Sequence, residues 1–270
     1  MVIKSLDNFD PRSIAESGQC FRMNRLNDRT WRVIALGKVL DITELGAGRF
    51  GFDTAEKDFN NIWKNYFDLE TDYSAFISAV PPEDEFLKKA AAFGRGIRIL
   101  RQEPFETLIT FIISQRKNIP AIKKSVELLS GRLGKRLGDS CFSFPSAEAI
   151  AGADPALLAG CSLGYRTEYV QKAAQRVADG EISLSELCKL NDEELRDRLL
   201  SFYGVGTKVA NCVMLFSYHR IAAFPVDVWI GRVIDRYYSG RFPLEKYEGF
   251  AGIIQQYMFY YGRLGSGSIQ

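Results

Sequence analysis

The sequence predicts an α+β fold in which an antiparallel β-sheet domain, residues 1–80, precedes a mostly α-helical domain, residues 81–270. Two observations lead to this fold class. The first part of the chain holds short runs of β-branched residues separated by glycine, which is the pattern of paired strands. After the double proline at positions 81 and 82, apolar residues recur three and four positions apart, as on the buried face of a helix.

The predicted sheet is centred on three runs that follow one another closely. Residues 30–36 (TWRVIAL) and 38–45 (KVLDITEL) meet at Gly37, and a third run at residues 49–53 follows a Gly-Ala-Gly turn. β-branched and aromatic side chains favour strands, whereas glycine favours the turns between them. We therefore expect consecutive antiparallel strands with one covered face.

Two runs in the second part have the spacing of core helices. Each presents an apolar residue at every three or four positions, which aligns these side chains on one helix face. The strongly aromatic segment at residues 247–261 is also predicted to form a helix. The two runs are Phe105, Leu108, Ile109 and Ile112, and Ile122, Val126, Leu129 and Leu133.

Composition restricts the compartment and the kind of site. The net charge is only +2, so a surface for nucleic acid has to be a local patch. The five cysteines are scattered and form no C-x-x-C pair, so neither a zinc site nor an iron–sulfur loop is indicated, and a reduced cytoplasmic compartment fits. We expect neither a signal peptide nor a membrane-spanning segment.

Residues 199–238 carry the strongest chemical signal. A charged amphipathic run, residues 191–202, ends at Gly204-Val205-Gly206, where glycine suits a helix end and a tight hairpin. The next helix is predicted to begin near Thr207. The unpaired amides of its first turn make this hairpin a site for a phosphate group.

Two residues of this stretch suggest chemistry. Lys208 lies in the first turn of a predicted helix, where the positive field favours the neutral, nucleophilic amine. Asp227 follows Pro225 at the predicted N-cap of the next helix, where backbone amides hold a carboxylate ionised. The pair offers a nucleophile and a carboxylate that can stabilise a cationic sugar transition state.

The segment GVGTKVA, followed by FPVDVW, resembles the helix-hairpin-helix and Gly/Pro–Asp motif of base-excision DNA glycosylases, and most of all their 8-oxoguanine branch. Lys208 falls on that family's Schiff-base lysine, and Asp227 falls on its catalytic aspartate. The resemblance implies an enzyme that flips 8-oxoguanine out of duplex DNA, excises it and nicks the strand as an AP lyase. It implies no cofactor, a monomer on double-stranded DNA, and a cytoplasmic location that is nucleoid-associated in a prokaryote.

The resemblance also implies a pocket for the flipped base. Gly18 takes the position of a glycine whose carbonyl accepts a hydrogen bond from N7–H, a donor that normal guanine lacks. Gln255 would read the Watson–Crick edge of the base, Phe259 and Cys212 would sandwich its ring, and Pro225 would complete the pocket.

A second set of implied contacts holds the DNA backbone. Gly204, Gly206 and Val209 would bind a phosphate through their amides. Related hairpins also hold a monovalent cation, so the resemblance implies such an ion at the backbone of residues 204–209.

Two segments match the family's contacts with the strand opposite the lesion. In SLGYRTEY, Tyr165 would wedge into the vacated space and Arg166 would hydrogen-bond the orphaned base. In SQRKNIP, Asn118 is retained, but Arg116 stands where the family usually has asparagine. Ala121 replaces an arginine of the eukaryotic members, so we expect a weakened preference for cytosine opposite the lesion.

Two further functions are compatible with parts of this pattern. A glycosylase for alkylated bases also pairs a β-rich N-terminal domain with Phe-Pro-x-Asp, but it usually lacks a lysine at the position of Lys208. A non-enzymatic helix-hairpin-helix module binds DNA without a counterpart of Asp227 or a base pocket. Trp229 is a departure too, since many family members carry histidine there, and the single histidine, His219, receives no role.

Overall fold

The computed structural model describes residues 1–265 and confirms the α+β fold class. Its N-terminal part contains the strands β1 (Val2–Ser5), β2 (Met23–Asn27), β3 (Thr30–Ala35), β4 (Lys38–Gly46) and β5 (Arg49–Phe52). They form one antiparallel sheet in the order β1-β5-β4-β3-β2. The three predicted runs are β3, β4 and β5, each within one residue of its expected bounds. The short edge strands β1 and β2 were not predicted, because β1 pairs with a distant segment and β2 is largely polar.

The sheet shares a core with the helical segments around it. These are α1 (Pro11–Glu16) and a continuous stretch made of α2 (Glu56–Asp58), a π-helical turn (Phe59–Trp63) and α3 (Lys64–Tyr66). Trp63, Phe52 and Phe67 are fully buried at the centre of this core. Cys20, in the loop between α1 and β2, belongs to the same core.

The rest of the described chain is helical apart from a small hairpin, β6 (Arg136–Gly138) and β7 (Cys141–Phe142). Both predicted core helices are present, as α6 (Pro104–Ser114) and α7 (Ile119–Leu133). Among residues 1–265, no helix combines the length and the apolar character needed to cross a membrane. The helices are α4 (Tyr73–Ser78), α5 (Glu85–Phe93), α6 (Pro104–Ser114), α7 (Ile119–Leu133), α8 (Ala147–Ala151), α9 (Pro155–Ala159), α10 (Arg166–Ala178), α11 (Asp192–Leu200), α12 (Thr207–Phe216), α13 (Val228–Tyr238) and α14 (Ala251–Leu264).

Side-chain caps explain where most of these helices begin. An oxygen of the capping residue accepts a hydrogen bond from an amide of the first turn, which would otherwise lack a partner. In α11 the cap is reciprocal, because Glu194 also accepts from the amide of Asn191. The capping residues include Asp10, Asp72, Asp84, Glu103, Asn118, Ser146, Asp154, Asn191 and Asp227.

The buried residues fall into two cores. The sheet core takes in residues between Phe9 and Phe67 together with Leu100, and the larger helical core extends from Tyr73 to Tyr260 with Phe21 added. Along the chain the two cores divide between Phe67 and Tyr73, and the domain boundary near residue 80 stays a prediction.

A buried carboxylate joins the two parts. Asp68 accepts hydrogen bonds from Tyr73 Oη at 3.0 Å and from Arg101 Nη2 at 2.9 Å. His219 Nε2 lies 3.2 Å from the same carboxylate, so the loop that follows α12 is fastened to the sheet domain. Burial by itself would raise the pKa of Asp68, but His219 and Arg101 hold it well below its usual range.

Candidate active site

The hairpin between α11 and α12 depends on glycine. Gly204 has a φ of +81°, in the left-handed region, and a Cβ here would overlap the ring of Tyr169. Gly206 is the N-cap of α12 and has no side chain that could bind the amides of the first turn. Gly206 and the first three residues of α12, which end at Val209, therefore present unpaired donors suited to a phosphate.

Lys208 is the second residue of α12, and its side chain lies against Phe111. Its Nζ is 5.0 Å from the ring centroid, which is a cation–π distance. Cys212 follows one turn later and is buried. Burial raises the pKa of the Cys212 thiol, and the neighbouring Lys208 ammonium opposes this rise only in part. The thiol is therefore neutral at pH 7 and offers the cavity a soft, apolar wall.

Asp227 caps α13 as predicted. Its carboxylate accepts a hydrogen bond from the amide of Ile230 at 2.9 Å. Pro225 is buried just before it, whereas Val226 and Val228 on either side are exposed. The carboxylate is thus held by the helix at the border between the protein interior and the surface.

One cavity collects every residue predicted for catalysis and for the base pocket. Its volume is about 40 Å³, and it lies between α12, α14, the loop before α13 and the loop before β2. It has room for only a few water molecules, so its walls must move before a purine can enter. The predicted residues that line it are Gly18, Lys208, Cys212, Pro225, Asp227, Gln255 and Phe259.

Gly18 and Phe259 both line this cavity and lie in close contact with each other. Gly18 has a φ of +75°, and a Cβ at this position would lie 3.0 Å from Cε1 of Phe259. A larger residue would therefore strain the backbone and push the aromatic ring. The guanidinium of Arg263 lies 5.3 Å from the ring centroid of Phe259, which is a cation–π distance.

Two adjacent glutamines supply the polar end of the cavity. Gln255 is buried, and its Oε1 accepts a hydrogen bond from Nε2 of Gln256 at 3.0 Å. Within residues 1–265, Oε1 of Gln256 is buried without a partner. An unpaired buried acceptor is costly unless a ligand satisfies it, so Gln256 also belongs to the candidate site.

The cavity adjoins a cleft of about 1140 Å³. Gly18, Lys208, Asp227 and Phe259 line both spaces. The cleft extends to further predicted residues, which are Arg116, Asn118, Gly206 and Val209, and to Trp229. Two of the three predicted backbone contacts, the 116–118 loop and the catalytic pair therefore face one continuous surface, whereas Gly204, Tyr165 and Arg166 do not line this cleft.

The two residues predicted as wedge and orphan-base contact lie in different environments. Tyr165 is 52% exposed, as a wedge requires. Arg166 is only 6% exposed and belongs to the first turn of α10, which follows a short loop. Gly164, with a φ of +61°, ends that loop two residues before Arg166.

Sequence reasoning missed several walls of the cavity. Phe111 and Phe216 stack at 5.5 Å and line it together with Ser17 and Gln256. Both aromatic residues have the spacing of core positions on their helices, and nothing local distinguishes a core ring from one that faces a cavity. Gln256 could have been identified from the sequence, because two adjacent glutamines stand out in an otherwise apolar helix.

Two family models match consecutive parts of the chain. The first, 8-oxoguanine DNA glycosylase, N-terminal domain, matches residues 1–108. The second, HhH-GPD superfamily base excision DNA repair protein, matches residues 109–246. Together they cover the sheet domain, the hairpin and the Pro-x-Asp segment.

Individual proteins are similar to the chain along most of its length. The crystal structure of Clostridium acetobutylicum 8-oxoguanine glycosylase/lyase with dsDNA containing cytosine opposite 8-oxoG has a TM-score of 0.91 and 36% identity. That match covers 97% of this chain and 94% of the other. A probable N-glycosylase/DNA lyase of Methanothermobacter thermautotrophicus is 28% identical over 243 residues, which are 78% of this chain and 77% of the relative. An N-glycosylase/DNA lyase of Saccharomyces cerevisiae is 35% identical over 175 residues, which are 59% of this chain but only 46% of the yeast protein.

Proposed function

The chain belongs to the HhH-GPD superfamily of base-excision DNA repair proteins, in its 8-oxoguanine DNA glycosylase branch, and we propose that it excises 8-oxoguanine from duplex DNA and nicks the resulting site. One observation carries this proposal: an amine, a capped carboxylate and the side chains predicted to hold the base line a single cavity. A glycosylase needs all three, because the base must be held while the bond at C1′ breaks.

Base selection starts at Gly18 and Gln255. In the closed cavity Gly18 is held against Phe259, and a carbonyl at this point can accept N7–H of the oxidised base. The amide of Gln255 has its carbonyl oriented by Gln256, which leaves its donors for the base. Phe259 and Cys212 supply an aromatic face and a soft sulfur for stacking.

The chemistry is assigned to Lys208 and Asp227. Once it has lost a proton, the amine of Lys208 forms a bond to C1′ while the glycosidic bond breaks and its electron pair leaves with the base. The carboxylate of Asp227 stabilises the positive charge that develops on the sugar. The nitrogen then loses a proton and the C1′–O4′ bond breaks, so that O4′ takes up the electron pair and a proton, the sugar ring opens and an imine forms. The imine acidifies C2′, and loss of a C2′ proton expels the 3′ phosphate by β-elimination.

The cleft provides the DNA contacts of this mechanism. The amide-rich start of α12 takes a phosphate near Gly206 and Val209. A monovalent cation at the 204–209 backbone would be bound by carbonyl oxygens. One of these, the carbonyl of Gly204, already accepts a hydrogen bond from Nε2 of Gln115 at 3.0 Å. No step of the mechanism depends on such an ion.

The proposed setting of the enzyme follows from its substrate. Since the cavity and the cleft are formed by residues of one chain, we propose a monomer that acts on double-stranded DNA. Its place is the compartment that contains DNA, which in a prokaryote is the cytoplasm and its nucleoid.

The decisive experiment is borohydride reduction in the presence of matched duplexes that contain 8-oxoguanine, guanine or 3-methyladenine. A covalent protein–DNA adduct with the 8-oxoguanine duplex, and none with the other two, is expected. Base release from the alkylated duplex without trapping would instead indicate an alkylpurine glycosylase. Binding of all three duplexes without release would indicate a DNA-binding module.

A further inference from the structure

A second cavity lies where the sheet domain meets the helical core. Its volume is about 330 Å³, and it is formed by the end of β3 with the turn after it, the start of α6, the 143–147 segment and the end of α10. None of its described lining residues also lines the base cavity or the cleft. It is therefore a separate candidate site, to which the proposed function assigns no role.

Most of the wall of this cavity is apolar. Phe105 and Phe144 both line it and pack edge to face, with 6.2 Å between their ring centroids. Ile34, Pro145 and Val177 add aliphatic surface. Such walls give water few hydrogen-bond partners and favour a ligand with an apolar body.

Arg22 brings a positive charge to the cavity. Its side chain is 3% exposed, its Nε donates to Oε1 of Glu127 at 3.1 Å, and its Nη2 donates to the carbonyl of Phe142 at 2.6 Å. Among residues 1–265, Nη1 of Arg22 is buried without a partner. A buried charged donor without an acceptor is costly, so Nη1 is suited to an acceptor that a ligand brings.

Glu106 is a second polar group that lines the cavity. It lies half-buried in the first turn of α6, and its carboxyl forms no hydrogen bond or ion pair with another described residue. Glu103, in contrast, caps α6 and accepts from the amide of Glu106 at 2.6 Å. Burial raises the pKa of Glu106 to about 8, against the opposing charge of Arg22 and with support from Glu103 and Glu127. At pH 7 this carboxyl is mostly protonated, so its O–H can donate.

We propose that this cavity binds a small monocarboxylic acid with an apolar body. The carboxylate accepts from Nη1 of Arg22 and from the O–H of Glu106, and the body packs against Phe105 and Phe144. A carboxylate suits both donors because it offers several acceptor sites and a charge opposite to that of the guanidinium. The site is independent of the proposed function, so either can fail without the other.

The test is a chemical-shift titration of the ¹⁵N-labelled full chain with 3-phenylpropionate. At pH 6 we expect saturable shifts around residues 34–37 and 143–147 and none in the glycine hairpin. 3-Phenylpropanamide has the same body without the charge and should bind roughly ten-fold more weakly or worse. Absence of saturable binding of the acid, equal affinities for the acid and the amide, or shifts centred on the hairpin would each overturn the proposal.

The pH dependence tests the part assigned to Glu106. The ionisable groups around its carboxyl are Arg22, Glu103, Glu127, Cys20 and Tyr66. Burial raises the pKa of the thiol and of the phenol, so both stay neutral between pH 6 and pH 9. The affinity for 3-phenylpropionate should fall roughly ten-fold over this range, because Glu106 loses its proton and then repels the carboxylate.

Glu106→Gln separates this carboxyl from that of Glu103, whose pKa burial also raises. The glutamine keeps a donor but cannot ionise, so the affinity of this variant should match that of the wild-type protein at pH 6 and should not change up to pH 9. A fall that persists in Glu106→Gln, or a wild-type affinity that rises with pH, would contradict the proposal.

A further variant tests Arg22. Arg22→Lys keeps a positive charge for Glu127 but lacks Nη1, and it should weaken binding of the acid roughly ten-fold or more. Arg32→Lys changes an arginine that pairs with Asp41 outside the cavity, and this control should bind like the wild-type protein. If Arg22→Lys does not fold, Val177→Glu takes its place, because a carboxylate in the cavity wall repels the acid. Wild-type affinity in whichever of the two variants is used would overturn the proposal.

Discussion

At the level of single residues, Lys208 is defined by its surroundings. It lies at the start of a helix without a side-chain cap, against Phe111 and at the border of the base cavity. Lys208→Gln should abolish base release and borohydride trapping, because no amine remains to form the imine. Binding to 8-oxoguanine DNA, measured by fluorescence anisotropy, should be largely retained because the phosphate contacts come from backbone amides. Lys124→Gln, an exposed lysine on α7, serves as the charge-matched control, and a Lys208→Gln protein that still traps would assign the nucleophile elsewhere.

Asp227 combines a structural and a chemical role that can be separated. Asp227→Asn keeps an oxygen that can accept from Ile230, so the midpoint of thermal unfolding should hardly change. The excision rate should fall by ~10²-fold or more, because the charge facing the sugar is lost. Asp154→Asn makes the same change at the exposed cap of α9 and should leave the rate intact. Full activity in a folded Asp227→Asn protein would reduce this residue to a helix cap.

At the level of elements, the glycine hairpin has a geometry that no other residue fits. Gly204→Ala introduces a side chain into a left-handed backbone and into the ring of Tyr169. We expect the free energy of unfolding in urea to fall by ~1–3 kcal/mol and the affinity for DNA to weaken. Gly131→Ala is the contrasting control, since its Cβ meets open space within α7 and alanine favours helices. If the Gly204→Ala protein were as stable as Gly131→Ala, the hairpin would tolerate both the left-handed alanine and its contact with Tyr169, and the prediction would be wrong.

At the level of the whole molecule, Asp68 makes the junction of the two cores sensitive to acid. His219 and Arg101 lower its pKa in the folded state, whereas the unfolded chain has a value of about 3.9. This contribution to stability is therefore present above about pH 4 and is lost as the pH falls further. Asp68→Asn should be less stable at pH 7 and should lose less of its stability between pH 7 and pH 3, as measured by urea unfolding. Asp28→Asn, at a 97% exposed carboxylate, should follow the wild-type profile, and an equally steep loss in Asp68→Asn would contradict the assignment.

The sequence by itself determined the features that depend on neighbouring residues. The strands β3 to β5, the hairpin glycines, the start of α12 and the cap at Asp227 follow from turn chemistry, periodicity and capping, which act over a few positions. These signals were sufficient to place Lys208 and Asp227 in order along the chain, and with the resemblance they predicted the family that the comparisons confirm.

Only the tertiary structure decided which distant residues meet and which side chains are available. Gly18 and Phe259 come together across most of the chain, and Phe111 serves as a cavity wall although its spacing is that of a core residue. Arg166 and Arg116 are both arginines on segments predicted to contact DNA, yet one is buried among carbonyls and the other is exposed. Whether a side chain is free to contact a ligand depends on the partners that folding brings within hydrogen-bonding distance. These partners lie in segments far apart in the sequence.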